Sequence, residues 1–136
     1  MTKITGTSLL RLKSCRADLQ ELVHEASNIM DISVLCGHRT ADQQDEMFNK
    51  GLSKLHYPWS KHNRTPSDAV DIIPYFSKGK YRYDWKDTLA FGRMAGIMFA
   101  LAHQKGIKLR WGGDWDMDGR SADETFLDLP HFEVIE

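Results

Sequence analysis

Four residues of this chain combine metal-binding and proton-transfer chemistry: His62, Asp71, Asp128 and His131. Two imidazoles and one carboxylate form the ligand set of a catalytic zinc site, in which a fourth position stays open for water. Asp128 precedes His131 by three residues, so a short turn could hold its carboxylate where it takes a proton from that water. The residue types therefore indicate a metal-dependent hydrolase, with zinc on the two histidines and Asp71 and with Asp128 as the general base.

The spacing of these residues leaves other interpretations open. The chain contains no H-E-x-x-H, the common helical zinc signature, and Asp71 on its own could be a turn residue at the end of a strand. Glu133 follows His131 by two residues, which on a strand puts both side chains on one face. There Glu133 could orient a ring nitrogen of the histidine.

Length and composition favour one ordinary globular domain that spans residues 1–136. Hydrophobic residues make up 41% and charged residues 27% of the chain, so a core can form without a structural metal. The formal net charge of −1 argues against nucleic acid as a partner, because no basic excess exists to neutralise phosphates. Cys15 and Cys36 lack metal-ligand spacing, and we expect both to be reduced thiols.

Hydrophobic periodicity predicts the elements that must hold the four residues in place. Helices are expected at about 11–30, 41–50 and 87–104, strands at 32–36, 69–73, 107–111 and 131–135, and a hairpin at about 75–83. Thr40 and Gln43 form a capping box for the second helix, and Gly106 suits the end of the third. Because strands and helices do not alternate as βαβ units, the chain is predicted to be α+β, with a small antiparallel sheet packed against about three helices.

Five blocks of the sequence, in this order, resemble one family of zinc peptidases. The blocks are GHRT at 37–40, SKHN at 60–63, PSDAVD at 66–71, LRWGGDW at 109–115 and DLPHFE at 128–133. They are similar to the metallopeptidase family of D-alanyl-D-alanine carboxypeptidases and L-alanyl-D-glutamate peptidases, and most similar to its phage endolysins. The resemblance implies the small α+β zinc peptidase fold that this family shares with Hedgehog N-terminal domains.

The resemblance also implies roles for individual residues. The family's zinc ligands fall on His62, Asp71 and His131. Its catalytic carboxylate falls on Asp128. Its substrate-side arginine falls on Arg39, where a guanidinium could polarise the scissile carbonyl and hold the developing oxyanion. The serine at position 60, two residues before the first ligand, falls where the family contacts substrate, so Ser60 is predicted to bind substrate.

A second metal site is predicted in the acidic segment after the third strand. Asp114, Asp116 and Asp118, followed by Gly119, repeat the first half of an EF-hand loop, whose alternate oxygens wrap calcium. The usual glutamate at position twelve is replaced by Thr125 here, with Asp123 and Glu124 nearby. Of these two, Asp123 is included in the predicted calcium set. Certain phage endolysins of the resembled family carry a calcium-responsive loop at this place, and we expect a bound cation to order the segment that leads to the catalytic carboxylate.

The resemblance thus implies a phage endolysin that hydrolyses the L-alanyl-D-glutamate bond of peptidoglycan stem peptides. Two alternatives remain open: a D-alanyl-D-alanine carboxypeptidase or dipeptidase, and a non-catalytic binding domain in which zinc serves only structure. No apolar run has the length of a signal peptide or a membrane span. We therefore expect a monomer that stays in the host cytoplasm until a holin opens the membrane, and that then acts on the cell wall.

Overall fold

The fold combines helices with one antiparallel sheet, as predicted for an α+β chain. The computed structural model describes residues 4–135. Its helices are α1 (Gly6–Lys13), α2 (Ala17–Ser27), α3 (Ala41–Asn49) and α4 (Thr88–Lys105), with a short 3-10 turn at Lys61–Asn63. Its strands are β1 (Ile32–Cys36), β2 (Ala69–Pro74), β3 (Leu109–Trp111) and β4 (His131–Val134). The four predicted strands are confirmed: β1 has its predicted bounds, and each of the other three differs at one end by one or two residues.

The sheet brings distant parts of the sequence side by side. Its strand order is β1-β2-β4-β3, and every neighbouring pair is antiparallel. The register pairs Asp71 of β2 with His131 of β4 on one side and with Cys36 of β1 on the other. A bulge between Val34 and Cys36 shifts the register of β1 at this point. Three side chains with metal-binding chemistry therefore meet in the middle of the sheet.

Alternation along the strands separates the core from the polar face. Val70 and Ile72 of β2 and Phe132 and Val134 of β4 belong to the hydrophobic core. In this core α4 packs on β2 and β3, α2 packs on α4, and α1 packs on β1. Successive side chains of a strand point to opposite faces, so Asp71, between the two core residues of β2, faces the other side. His131 and Glu133 of β4 alternate with core residues in the same way. The helices thus leave the face that carries the polar side chains free to form a site.

The single helix predicted at about 11–30 is wrong, because two helices, α1 and α2, occupy this stretch. Between them, Arg16 is extended, with φ −58° and ψ 152°. The backbone there bonds to the segment that leads into β2: Arg16 N donates to Ser67 O (3.0 Å), and Ser67 N donates to Ser14 O (2.9 Å). Apolar periodicity continues across the break because both helices pack on the same core, so the pattern alone does not reveal it.

The predicted helix ends are confirmed where a side chain or a glycine defines them. Thr40 and Gln43 form both bonds of the capping box at the start of α3. Asp87 caps α4 by accepting from the backbone N–H of Ala90 (3.0 Å), and Gly106 ends it in the left-handed conformation, with φ +69°. Among residues 4–135, no helix has the length and apolar character that crossing a membrane requires.

The predicted hairpin at 75–83 is wrong, because the segment between β2 and α4 contains no strand. A turn at Gly79 (φ +91°) does bring its two sides together, and Phe76 N donates to Arg82 O (2.8 Å). This one bond does not extend into a β-ladder, because residues 77–86 are all exposed and do not bury the hydrophobic face that a stable hairpin requires.

Replacing Leu22 with alanine should lower the free energy of unfolding by about 2–5 kcal/mol, because a fully buried side chain of α2 leaves a cavity. The matched control is Leu10→Ala on α1, where the side chain is 71% exposed. This control should change stability by no more than about 0.5 kcal/mol. Urea unfolding followed by circular dichroism measures both, and equal losses in the two variants would contradict the described core.

Candidate metal centre

Three side-chain atoms from three different elements meet at one point. Nε2 of His62 lies 3.1 Å from Oδ1 of Asp71 and 3.2 Å from Nδ1 of His131, and the latter lies 3.2 Å from the same Oδ1. Ligands about 2.0 Å from a tetrahedral zinc ion are about 3.3 Å from one another. The three atoms thus form one face of a tetrahedron of the size that zinc requires.

The hydrogen bonds on the outer side of each ring determine which nitrogen faces this centre. Nδ1 of His62 lies 2.7 Å from the carbonyl oxygen of Gly37, and a carbonyl only accepts, so this nitrogen carries the proton. Nε2 of His131 lies 2.8 Å from Oε1 of Glu133, an ionised carboxylate that also accepts. The other nitrogen of each ring therefore faces Asp71. When the rings are neutral, these two nitrogens and the carboxylate oxygen are three acceptors within 3.2 Å of each other, so either a proton or a metal ion must lie between them. Two imidazole nitrogens and one carboxylate oxygen are also a donor set that zinc takes.

The electrostatic field at the centre also favours positive charge. Burial lowers the pKa of His62, but the Asp71 carboxylate outweighs it and raises that pKa to about 10. Burial likewise raises the pKa of Asp71, while His62 and His131 hold it well below its usual range. The buried carboxylate is therefore ionised, and the site stabilises a cation.

Two glycines allow the backbone to approach the site closely. A Cβ at Gly37 would collide with the carbonyl oxygen of Arg11 and the hydroxyl of Ser14, so only glycine places its own carbonyl beside His62. A Cβ at Gly112 would collide with the backbone of Asp128. Gly112 and Asp128 are joined by an N–H···O bond of 2.9 Å, which places Asp128 next to β3. Both glycines lie in the sequence blocks that carry the family resemblance.

Asp128 lies beside the three-atom cluster and forms a further candidate metal-binding group with two of its members, Asp71 and His131. A carboxylate oxygen of Asp128 lies within 4.8 Å of donor atoms of Asp71 and His131. Burial, followed by the negative charge of Asp71, raises the pKa of Asp128 to about 6. A carboxyl group with a pKa close to neutrality can both take and give a proton, which general acid–base chemistry needs.

Arg39 is buried, and its orientation is set by a residue that the sequence did not single out. Its Nη2 lies 3.5 Å from Oδ2 of Asp71, and its Nη1 donates to Oε1 of Gln44 (2.8 Å). Gln44 in turn donates to the hydroxyl of Ser53 (2.9 Å) and to the carbonyl of Leu55 (2.5 Å). The fully buried Gln44 thus fixes both the guanidinium and the loop after α3. A glutamine among polar neighbours on a short helix looks solvent-exposed in sequence, so no pattern reveals this role.

Ser60 caps the 3-10 turn that carries His62. Its hydroxyl accepts from the backbone N–H of His62 (3.2 Å), while its own N–H donates to Oδ1 of Asn63 (3.0 Å), so a capping box holds the turn that carries the histidine. Ser60 is buried, yet it also lines an open groove of about 1150 Å³ that contains the three-atom cluster, Asp128 and Arg39. The residues predicted for the zinc site are therefore brought together along one groove.

Cys36 is a further candidate ligand that sequence reasoning missed. Its thiol, with donor atoms of His62 and Asp71, forms a group whose members all lie within 4.8 Å of one another. Burial raises the pKa of this thiol, but the neighbouring His62 ring outweighs it and lowers the pKa overall. A single cysteine without a C-x-x-C spacing gives no metal signal in sequence. Both cysteines are free thiols, as expected, and burial raises the pKa of Cys15 to about 12.

The acidic segment between β3 and Asp128 gathers carboxylates in two overlapping groups. Asp114, Asp116 and Asp118 form one, and Asp116, Asp123 and Glu124 form the other. Within each group the oxygens lie within 4.8 Å of one another. The left-handed Gly119 (φ +82°) donates its N–H to Asp114 (2.8 Å). Glu124, which the sequence places near the loop but which was not in the predicted calcium set, thus joins the four predicted aspartates.

The comparisons with known proteins agree with one another. A family model described as phage L-alanyl-D-glutamate peptidase matches residues 1–135. The chain is 33% identical over 138 residues to the L-alanyl-D-glutamate peptidase of Escherichia phage T5, and the match covers 98% of each protein. The crystal structure of the L-Ala D-Glu endopeptidase ChiX of Serratia marcescens matches with a TM-score of 0.76 and 25% identity, over 99% of this chain and 89% of that one.

Replacing Glu133 with alanine should weaken zinc binding by about 10- to 100-fold, because the imidazole of His131 loses the acceptor that holds its metal-facing tautomer. Glu133→Gln, which keeps an acceptor oxygen, should restore part of the affinity. Competition with a chromophoric chelator measures the zinc affinity, and the matched control is Glu21→Ala, at an exposed position of α2. An unchanged zinc affinity in Glu133→Ala would contradict the assigned orientation of the ring.

Proposed function

The chain belongs to the phage L-alanyl-D-glutamate peptidase family, and on that premise we propose that it is a zinc-dependent endolysin which cuts the bond between L-alanine and D-glutamate in peptidoglycan stem peptides. It is a peptidase that acts on the bacterial cell wall. The observation that carries the metal dependence is the meeting of two histidine nitrogens and one carboxylate oxygen within 3.2 Å of each other, beside a separate carboxyl group and in an open groove.

We assign the ligands as His62, Asp71 and His131. Zinc held there would supply a Lewis acid that polarises the scissile carbonyl and lowers the pKa of a water molecule. The chain prepares these ligands in advance, since Gly37 and Glu133 already orient the two rings. The Cys36 thiol lies within 4.8 Å of donor atoms of His62 and Asp71, so it bounds the space for a metal ion on the β1 side of the cluster.

We assign Asp128 the transfer of protons. Its carboxylate takes a proton from the attacking water, and it returns that proton to the amino group of D-glutamate as the peptide bond breaks. The same residue can serve both steps because its pKa is raised to about 6. The close contact between Gly112 and the Asp128 backbone limits how far the carboxyl group can move.

We assign Arg39 the stabilisation of negative charge on the substrate. Its guanidinium lies in the wall of the groove, and one of its nitrogens is 3.5 Å from Asp71. A buried cation there lowers the energy of an oxyanion that forms on the L-alanine carbonyl. Gln44 keeps the guanidinium in this position, and Ser60, also in the groove wall, is assigned to substrate contact.

We further propose that residues 1–136 form one catalytic domain that acts as a monomer. The chain and the phage T5 peptidase cover 98% of each other, which supports one catalytic unit of this size. Before lysis the protein would reside in the host cytoplasm, and release to the wall would depend on a holin.

The acidic segment is proposed to bind calcium through Asp114, Asp116, Asp118 and Asp123, with Glu124 as a further ligand. Carboxylates crowd there: the bond with Asp118, burial and nearby negative charges together raise the pKa of Asp123 to about 6. The segment also reaches the catalytic site, since the ring of Trp115 lies 5.2 Å from that of His131. Order in the segment would therefore be transmitted to a zinc ligand.

The function is tested by digesting purified peptidoglycan with the zinc-loaded protein and identifying the products by mass spectrometry. We expect stem peptides with a new amino-terminal D-glutamate. Asp128→Asn should reduce the rate by about 10²–10⁴-fold while zinc still binds, because only the proton carrier is lost. The matched control Asp42→Asn, exposed on α3, should keep full activity. Release of free D-alanine instead would indicate a carboxypeptidase, and full activity of Asp128→Asn would contradict its role.

Calcium binding is tested by calorimetry on the zinc-loaded protein. We expect heat on titration with calcium chloride and a change in the rate of peptidoglycan digestion. Replacing Asp116, which belongs to both acidic groups, with asparagine should weaken binding by about tenfold or more, because the site loses ligand charge. Asp45→Asn, exposed on α3, is the control. If titration with calcium produces no heat and no change in the rate, this calcium site is ruled out.

A further inference from the structure

The segment between β2 and α4 presents an ordered, fully exposed surface that the reaction does not use. We call residues 76–86 the basic aromatic loop; every residue from 77 to 86 is exposed. Arg82 holds the loop in shape, because its guanidinium donates to the carbonyls of Phe76 (2.6 Å) and Gly79 (2.9 Å). The loop therefore has a defined conformation although it contributes no side chain after Phe76 to the core.

Three aromatic rings stand on this loop with much of their surface in solvent. Tyr81 is 62%, Tyr83 43% and Trp85 58% exposed. Two of the rings are fixed from behind: the Tyr83 hydroxyl bonds to the hydroxyl of Ser33 (3.2 Å), and Trp85 packs 5.8 Å from the ring of Phe91. Rings held in place with open faces form a stacking platform that costs little entropy when a ligand binds.

The loop is also a local concentration of positive charge in a chain whose net charge is −1. Lys78, Lys80, Arg82 and Lys86 alternate with the aromatic residues, against one acidic side chain, Asp84, within the loop. Within residues 4–135, Lys78 and Lys86 make no ion pair, and the Lys80 ammonium lies over the ring of Tyr81, 5.3 Å from its centroid. These ammonium groups are available to an anionic partner.

The loop is continuous with the groove of the candidate metal centre. Trp85, at the end of the loop, lines the same groove as His62 and Asp128. A polymer bound with one stem peptide in the groove could thus extend over the loop without leaving the protein surface. Because the loop adjoins the groove, the partner that best fits the loop is the polymer to which the bound stem peptide belongs.

We propose that the basic aromatic loop docks the peptidoglycan polymer next to the stem peptide that is being cut, a proposal that rests on the proposed function. Sugar rings of the glycan stack on the open aromatic faces, and free carboxylates of neighbouring stem peptides pair with the lysines. A membrane surface fits less well, because an interfacial segment needs a contiguous apolar face, whereas cations alternate with hydroxyl-bearing rings here. The catalytic domain thereby carries its own wall-binding surface.

The test separates binding to the polymer from cleavage of a small substrate. The variant Lys78→Glu/Lys80→Glu and the variant Tyr81→Ala change the loop outside the groove. In an Asp128→Asn background, pelleting with purified sacculi measures binding, and the same loop changes with Asp128 intact are assayed on sacculi and on a soluble disaccharide tetrapeptide. We expect sacculus binding and sacculus turnover to fall by about tenfold at low salt, and the rate on the soluble substrate to stay within about twofold.

The matched control is Lys13→Glu/Lys108→Glu, which makes the same charge change at two exposed lysines outside the loop. Wild-type sacculus binding in the loop variants, or an equal loss in this control, would overturn the proposal. Equal losses on both substrates would also overturn it, since the loop would then act on the catalytic groove. Weaker binding to phosphatidylglycerol vesicles with unchanged sacculus binding would assign the surface to a membrane. If the unaltered protein cuts neither substrate, the proposed function fails, and pelleting still decides the docking.

Discussion

The structure depends on one electrostatic constraint, the meeting of two histidine nitrogens and one carboxylate oxygen from His62, His131 and Asp71. The cluster needs positive charge between its members, either protons on the rings or a metal ion, and against the effect of burial Asp71 accordingly raises the pKa of both histidines. The carbonyl of Gly37 holds one ring, and the carboxylate of Glu133 holds the other. Arg110 in turn bonds to Glu133 (3.0 Å), so the constraint extends from the centre to the edge strand β3. The fold thus keeps a site for positive charge in a buried place.

The sheet makes this constraint compatible with a stable core. Alternate residues of β2 and β4 belong to the core that the helices share, while the residues between them supply the polar cluster. Among the described residues, every buried side-chain nitrogen and oxygen has a hydrogen-bond partner. Polar groups therefore lie within a few ångströms of Val70 and Phe132 without an unsatisfied donor or acceptor. Packing on one face and chemistry on the other follow from the same two-residue period.

Much of the candidate site could be predicted from the chain, because two histidines and a carboxylate are typical metal ligands and because five sequence blocks resemble a family of zinc peptidases. Arg39 and Ser60 were predicted from that resemblance alone. The four strands, the capping box of Thr40 and the end of α4 were likewise readable from local signals. The break at Arg16 was not, since tertiary bonds to Ser67 cause it. The roles of Cys36 and Gln44 were also hidden, because each depends on neighbours distant in sequence. Local patterns locate elements and ligands, whereas contacts across the sheet decide what supports them.

The bond between Gly112 and Asp128 has a consequence for how such proteins diverge. It closes the acidic segment at its base, so the chain leaves the domain and returns to it at nearly the same point. The entropy of closing a loop grows only slowly with its length, by about 0.6 kcal/mol for each doubling. Evolution can therefore lengthen, shorten or exchange this excursion while the residues at its stem keep their positions. Insertions between Gly112 and Asp128 should therefore destabilise the fold less than insertions within the strands of the sheet.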